Sequence, residues 1–224
     1  MKALLLAVLT SLALMTGLRS AQGGDFYFGA LGGVATLSAD GRYILSGTSS
    51  QTSLYKPENG AALNLFGGWD FSQYASLQAN YILNRNDLTL VSTAFSSTGA
   101  SDYQQTRTSL QNSAIADVLV YMRKRNSRVR PYLSGGTGAV WLSSSAKALT
   151  AVTGSLAIPP QHFSDTAVGL RVAVGMDVRI ARGWWFRYSF SETISSNPIS
   201  DELSPPGQRM LKNFQNLFGF VRRF

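Results

Sequence analysis

Large apolar side chains alternate with small or polar ones along several segments of the chain. The clearest segment is 167–180, where every even position is large and apolar and the odd positions are alanine, glycine, arginine or aspartate. Successive side chains of a β-strand point to opposite faces, so this pattern predicts a strand with one apolar face and one small or charged face. An α-helix would scatter both sets around its circumference.

The same alternation, with less regular segments rich in aromatic residues and glycine, predicts eight strands. Their approximate bounds are 25–36, 61–71, 74–84, 112–123, 130–142, 166–180, 184–194 and 212–224. Most of these segments are longer than the average strand of a globular protein, which has about 5–6 residues. A tilted strand that crosses a bilayer needs about 9–11 residues, and every predicted segment is at least that long.

The connections between these strands alternate in length. They are short near 72–73, 124–129 and 181–183, and long over 37–60, 85–111, 143–165 and 195–211. We therefore predict an all-β fold: an eight-stranded antiparallel up-and-down transmembrane β-barrel with long external loops and short periplasmic turns. The first and last strands should pair, because an open strand edge in lipid would leave backbone groups without hydrogen bonds.

The first 23 residues have the three parts of a secretory signal peptide. Lys2 is followed by an uncharged, mostly apolar stretch over 3–18, and Ala21 and Gly23 provide small residues for cleavage. The domain organisation is therefore a signal peptide over 1–23 and an outer-membrane β-barrel domain over 24–224. A short membrane anchor is the alternative for the first segment. Export, together with the predicted barrel, indicates the bacterial cell outer membrane as the location of the protein.

Composition agrees with two opposite faces. Hydrophobic residues make up 45% of the chain and charged residues only 14%, yet the mean hydropathy is +0.01. Cysteine is absent, which excludes a disulfide scaffold. Lys2 and Arg19 account for two of the net +8 charges and lie in the predicted signal peptide. No basic helix or nucleic-acid motif accompanies the remaining charge, so we expect no nucleic-acid partner.

Four segments carry a resemblance to a known family. They are the opening segment 25–33, the segment 67–71 with Tyr74, the segment 130–136, and the final strand with Phe214, Phe218, Phe220 and Phe224 in register. In this order the chain resembles the small OmpA/OmpX-type outer-membrane β-barrel family. The resemblance implies that Phe224 is a signal for the barrel assembly machinery during biogenesis. Arg222 departs from the family, which usually has an apolar residue there.

Four charged residues should form a lumen polar network: Asp117, Arg171, Asp177 and Arg187. An eight-stranded barrel has an interior just wide enough for side chains. These groups could form an ion path or gate, but a structural network of paired charges is favoured because isolated buried charges are costly. Their strands are not all adjacent, so a pair between Asp117 and Arg171 is expected to reach across the lumen.

Basic residues collect at one predicted turn and form a periplasmic basic rim: Arg123, Lys124, Arg125, Arg128 and Arg130. They could attract anionic headgroups or cell-wall polymer, or they could simply be solvated. An interfacial aromatic girdle is expected near the same end of the barrel. Its predicted members are Trp69, Phe71, Tyr74, Tyr132, Trp184 and Phe224.

His162 is the single histidine, and with Ser164 it forms a His-x-Ser pair. Lipid A deacylases of the outer membrane use such a pair with a glutamate, and the next glutamate here is Glu192. A triad needs its three groups within hydrogen-bond reach, which this spacing does not favour. No metal-ligand cluster, phosphate loop or nucleotide motif is present, so we expect no catalytic residues, metal or cofactor.

The sequence therefore favours a non-enzymatic monomer, with an envelope-structural role or one in which external loops are presented for adhesion. Its expected partners are outer-membrane lipids, lipopolysaccharide and an unknown external ligand at the loops. Three alternatives stay open: a narrow porin-like channel for small solutes, a lipid A-modifying enzyme, and a soluble lipocalin-like ligand binder. The last would need its apolar faces turned inward.

Overall fold

The computed structural model describes residues 25–39, 41–47, 49–56, 58–154, 158–202 and 206–224. The predicted signal peptide over 1–23 lies outside the described residues. Ten strands are present in the described ranges: β1 (Asp25–Ser38), β2 (Gly41–Ser46), β3 (Ser49–Lys56), β4 (Glu58–Asp70), β5 (Ala75–Ser96), β6 (Gly99–Tyr121), β7 (Val129–Thr153), β8 (His162–Ala181), β9 (Trp184–Ser196) and β10 (Met210–Arg223). A short 3-10 helix covers Ser200–Glu202. In these ranges no helix is long and apolar enough to cross a membrane.

Eight of the ten strands close into a ring of antiparallel pairs. Its order is β1, β4, β5, β6, β7, β8, β9 and β10, and β10 returns to pair with β1. The predicted pairing of the first and last strands is confirmed, with Tyr27 opposite Arg223. The eight predicted strands correspond to β1 and β4–β10, so the predicted architecture is confirmed.

The external side contains more strand than the sequence predicted. The segment 85–111, expected to be a loop, continues the β5–β6 hairpin in register up to Ser96 and Gly99. The first long connection contains β2 and β3, and β3 pairs with the external part of β5. Beyond the bilayer the outward face of a strand meets water and needs no large apolar side chains, so the apolar–polar alternation that reveals the strand disappears while backbone pairing continues. The inward face stays buried, as it is at Leu90, Tyr103 and Arg107.

Side chains on the ring follow the alternation of the sequence. On β8 the outward residues include Val168, which is 75% exposed, and Leu170, which is 62% exposed, while Arg171 and Asp177 are buried. The large apolar side chains therefore face away from the barrel, and the polar ones fill it. The soluble ligand-binding alternative, which requires the reverse arrangement, is wrong.

Three short turns join the strands at the periplasmic end, at residues 71–74, 122–128 and 182–183. Gly183 has φ +73°, a conformation that a residue with a Cβ atom adopts with difficulty. Most of the predicted aromatic girdle is exposed at this end: Trp69, Phe71, Tyr74, Trp184 and Phe224. Tyr132 is the exception, because its side chain is buried inside the barrel.

Candidate functional site: the lumen of the barrel

A row of charged residues crosses three neighbouring strands inside the barrel. Arg130 on β7 lies opposite Asp177 on β8, which in turn lies opposite Arg187 on β9. Arg187 grips Asp177 with two donors, Nε to Oδ1 at 2.5 Å and Nη2 to Oδ2 at 2.8 Å. This fork-like geometry suits the planar guanidinium and fixes both side chains.

A glycine explains the pairing of Asp117 with Arg171. These residues lie on β6 and β8, and Gly136 of the intervening β7 is in register with both. Because glycine has no side chain, Arg171 Nη1 reaches over β7 and donates to Asp117 Oδ2. A Cβ atom at Gly136 would collide with the Ala116 carbonyl oxygen and the Asp117 carboxylate. The two charges meet as expected, but along the wall rather than across the lumen.

Asp70, at the end of β4, brings further arginines into the barrel. Arg223 Nη1 donates to Asp70 Oδ2, and Arg223 Nη2 lies 2.9 Å from Asp177 Oδ2. Arg130 Nη1 lies 3.7 Å from the same Asp70 oxygen. Asp70 also accepts a hydrogen bond from the hydroxyl of Ser76. Arg223 therefore bridges two aspartates that lie on opposite sides of the closing pair of strands.

Amide side chains link these two groups of charges. Arg187 Nη1 donates to Gln78 Oε1 at 2.7 Å, and Gln78 Nε2 donates to Asn80 Oδ1 at 2.7 Å. Asn80 Nδ2 then donates to Asp117 Oδ2 at 3.1 Å. We call the connected charges the ionic network, and its members are Asp70, Asp117, Arg130, Arg171, Asp177, Arg187 and Arg223. All seven side chains are buried.

The ionic network contains one more arginine than aspartate, and aromatic rings accommodate the guanidinium groups. Arg130 Cζ lies 3.7 Å from the centroid of the Tyr121 ring. Arg187 Cζ lies 4.9 Å from the Phe66 centroid and 5.0 Å from that of Tyr132. Cations stack favourably on such ring faces, particularly where water is excluded. The rings therefore stabilise positive charge that the carboxylates do not fully balance.

Amide side chains also cross the lumen towards the external side of the ionic network. Asn213 on β10 donates through Nδ2 to Oε1 of Gln111 on β6. Three ring strands separate β6 from β10 in either direction, so this hydrogen bond spans the interior. Within the described residues, both polar side-chain atoms of the buried Asn84 lack a hydrogen-bond partner.

A cluster of apolar side chains is buried at the external end of the barrel. We call this cluster the apolar plug, and its members are Leu37, Ala39, Tyr55, Leu88, Leu90, Tyr103, Leu142, Ile199 and Leu211. Ile199 comes from the connection between β9 and β10 and is only 1% exposed. Tyr55 Oη donates to Asn197 Oδ1 at 3.2 Å, which holds this connection over the opening. Burial raises the pKa of Tyr103 to about 12, so its hydroxyl stays neutral.

Arg107 anchors a second external connection beside the apolar plug. It is fully buried, and it donates to the carbonyl oxygens of Pro160 at 2.7 Å and Gln161 at 3.4 Å. Its Nε donates to Ser144 Oγ at 3.0 Å, and its Cζ lies 4.9 Å from the Phe163 ring centroid. Among the described residues it has no carboxylate partner. Neutral acceptors and one ring therefore hold this guanidinium in place.

The predicted periplasmic basic rim divides into two groups. Arg123, Lys124 and Arg128 are exposed, as a solvated rim requires. Arg125 is half-buried, and its Nη1 lies 3.1 Å from Asp25 Oδ2. Arg130 differs from the prediction, because its side chain points into the barrel and belongs to the ionic network. Its strand position decides this: Pro131 and the exposed Leu133 take the opposite face.

His162 does not form part of a triad. Its Nδ1 lies 2.9 Å from Ser145 Oγ, on the neighbouring strand. Ser164 pairs with Ser143, whereas Glu192 pairs with Val172, eight residues further along β8. At about 3.3 Å per residue this separation is roughly 26 Å. The serine and glutamate are therefore far beyond the hydrogen-bond reach that nucleophilic catalysis needs.

Several residues of the site were not singled out by the sequence. The inward direction of Arg223 could have been predicted from the alternation, because Phe218, Phe220 and Phe224 face outward and position 223 must therefore face the lumen. No pattern in the sequence indicated the burial of Arg107 and Ile199, because they lie where loops were expected. In the part of the chain that the structure describes, no cluster of three or more acidic or histidine side chains could hold a metal ion.

A closed ring of eight antiparallel strands with an apolar exterior and a charged interior defines a transmembrane β-barrel. The chain belongs to the outer membrane protein beta-barrel domain family, whose model matches residues 4–224. The family indicates the bacterial outer membrane as its location. No curated protein matches the sequence.

Several solved outer-membrane proteins are similar in structure. Neisserial surface protein A has a TM-score of 0.53 and 14% identity, with 91% of this chain and 100% of that chain covered. OprG from Pseudomonas aeruginosa has a TM-score of 0.46 and 16% identity, with 92% and 99% covered. Ail of Yersinia pestis has a TM-score of 0.47 and 14% identity, with 91% and 100% covered. At such identities the likeness to Neisserial surface protein A concerns the fold alone.

Proposed function

We propose that this protein is a non-enzymatic, non-conducting outer-membrane barrel that presents its external strands and connections to a partner outside the cell. One observation carries the proposal: the lumen is filled at two levels, by the ionic network and by the apolar plug. A solute would have to separate paired buried charges, which are costly to leave unpaired, and then pass Ile199.

With a filled lumen, the strands on the external side are the candidate binding surface. Strands β5, β6 and β7 extend on the external side as paired strands, and β3 with its partner β2 adds to the external part of β5. On β2 every residue is exposed, including Tyr43 at 59% and Leu45 at 66%. Exposed aromatic and aliphatic groups on paired strands suit an adhesive or envelope-structural role. The proposed partners are an external ligand at this surface and the lipids and lipopolysaccharide around a monomeric barrel; recognition of Phe224 by the assembly machinery stays a prediction.

Conductance across planar bilayers tests the proposal. The purified barrel, inserted at high copy number, should give no steps above the bilayer baseline. As a matched pair, Arg187→Leu and the external Arg42→Leu each remove one arginine, but only Arg187 belongs to the ionic network. The closed lumen would be refuted if the unchanged protein gave conductance steps and if these steps were larger in Arg187→Leu but not in Arg42→Leu.

A narrow channel for small solutes is the second candidate. It is favoured by the unpartnered polar atoms of Asn84 and by Gln111 Nε2 and Gln215 Nε2, which also lack partners within the described residues. Buried polar groups of this kind are commonly satisfied by water, and a file of waters could lead along the lumen. Osmotic swelling of proteoliposomes in small sugars separates the two candidates: a closed lumen predicts the swelling rate of empty liposomes.

A further inference from the structure

A cavity of about 400 Å³ opens at the periplasmic edge of the barrel. Asn126 and Arg128 line it from the turn after β6, and Arg179, Ile180 and Ala181 line it from the end of β8. Two guanidinium-bearing residues and an exposed isoleucine therefore surround one opening, at the level where the lipid-facing surface of the barrel ends.

Arg179 is held in place but has an unused donor. Its Nη2 donates to the carbonyl oxygen of Asn126, and its Cζ lies 5.2 Å from the Trp185 ring centroid. Its Nε is buried and has no partner in the described part of the chain. A buried donor without a partner is costly, so this atom points to an acceptor that the protein itself does not supply.

Arg128 supplies a second, adaptable cation. Its carbonyl oxygen accepts a hydrogen bond of 2.8 Å from the backbone nitrogen of Arg179, which fixes the two residues side by side. Its side chain is exposed and, among the described residues, makes no hydrogen bond or ion pair. One oriented guanidinium beside a free one is a suitable arrangement for the oxygens of a phosphate.

The surrounding charge is positive. Arg123, Lys124 and Arg182 are also exposed at this end of the barrel. Of the side-chain carboxylates described at this end, Asp70 and Asp177 are buried in the ionic network and Asp25 lies 3.1 Å from Arg125. No carboxylate lines the cavity itself. The site therefore attracts anions, and no carboxylate in its lining neutralises the two arginines.

We propose that this cavity binds the phosphate of an anionic glycerophospholipid in the periplasmic leaflet of the membrane. The lipid is favoured over free phosphate because Ile180, 56% exposed, and Val178 continue from the cavity along the lipid-facing wall. An acyl chain would lie against this wall while the headgroup meets Arg128 and Arg179. The site defines one position for lipid binding and does not depend on what the external end binds.

Native mass spectrometry of the full barrel with phosphatidylglycerol tests the assignment. Arg128→Gln and Arg179→Gln should each lower the apparent affinity for the first bound lipid about fivefold, the contribution of one arginine near an anionic surface. Arg123→Gln is the matched control, because it removes one exposed cation at the same end outside the cavity. Zwitterionic phosphatidylcholine should bind more weakly and respond less to the variants.

Three results would overturn the proposal. Equal losses in Arg123→Gln and Arg128→Gln would mean that diffuse charge, and no defined site, attracts the lipid. Unchanged binding in Arg128→Gln would remove the cavity from consideration, and this variant avoids the packing of Arg179 against Trp185. Displacement of the lipid by millimolar inorganic phosphate would make the free anion the ligand. None of these results bears on the closed lumen, which conductance tests separately.

Discussion

The periplasmic half of the lumen is filled by four arginines and three aspartates, whereas the external end is filled by apolar side chains and by Arg107, which has no carboxylate partner among the described residues. Every residue of the ionic network lies on a strand of the closed ring. The apolar plug depends partly on Ile199 from a connection outside the ring. One half of the lumen is therefore fixed by the ring itself, whereas the other depends partly on a connection outside the ring.

The largest expected effect comes from removing a shared aspartate from the ionic network. Asp177→Asn keeps the shape of the side chain but leaves Arg187 and Arg223 without their common carboxylate. Breaking a buried pair in this way should lower the free energy of unfolding by about 3–5 kcal/mol. Urea unfolding in detergent micelles, followed by tryptophan fluorescence, measures the change.

The exposed Asp165, also on β8, provides the control. Asp165→Asn removes the same charge and should change stability by less than about 0.5 kcal/mol. Equal effects of the two substitutions would show that the ionic network contributes nothing particular to the periplasmic half.

A smaller effect is expected from adding a side chain at Gly136 of β7, over which Arg171 reaches Asp117. Gly136→Ala places a Cβ atom against the Ala116 carbonyl oxygen and separates Arg171 from Asp117, which should cost about 1–3 kcal/mol. Gly135→Ala is a close control, since its Cβ would have its nearest neighbour, the Arg171 carbonyl oxygen, at 4.0 Å. Heat-modifiable gel mobility and urea unfolding compare the two. Similar stabilities would contradict the role given to Gly136.

Truncation in the apolar plug should act locally. Ile199→Ala removes a buried side chain from a connection outside the ring. We expect it to lower the free energy of local opening of this connection by about 2 kcal/mol, the lower end of the range for such changes. The effect should appear as faster hydrogen exchange over 197–202, with the urea midpoint of the barrel unchanged. Ile158→Ala, at a residue that is 40% exposed on the external side, should leave exchange there unaltered. A lowered urea midpoint in Ile199→Ala would mean that the two halves unfold together.

The smallest effect concerns a surface ion pair on the external side. The hydrogen bond from Lys147 Nζ to Asp87 Oδ2, at 2.7 Å, lowers the pKa of the Asp87 carboxyl. A lowered pKa stabilises the folded state above the unfolded pKa of about 3.9, and the stabilisation is lost as the pH falls through the folded value. Both groups are exposed, so solvent screening limits the contribution to a few tenths of a kcal/mol.

An NMR titration of the Asp87 carboxyl carbon in micelles measures this pair. Lys147→Met should raise the pKa towards its ordinary value. The exposed Lys56, also on the external side, provides the control: Lys56→Met should leave the pKa of Asp87 unchanged. An unshifted Asp87 in the Lys147 variant would show that the ion pair does not persist in solution.

Much of the ring and part of the site could be predicted from particular residues. The alternation over 167–180 assigned Arg171 and Asp177 to one face and Val172 to the other, as the structure has them. Arg130 was assigned to the wrong environment, because the glycine-rich run after it conceals the alternation. The pairing over 85–111 could not be predicted, since the outward face of a strand beyond the bilayer meets water and needs no apolar side chains. Ile199 could not be predicted either, because it lies in a connection where no alternation indicates burial.

The sequence by itself determined which face of each ring strand meets lipid, because the period of two fixes side-chain direction within a strand. Only the tertiary structure decided which charges meet. Asp117 and Arg171 are 54 residues apart, and they pair because strand register places Gly136 between them. Closure of the ring likewise brings Arg223 of the last strand to Asp70 and Asp177. Register and closure are properties of the whole ring, so no single segment carries them.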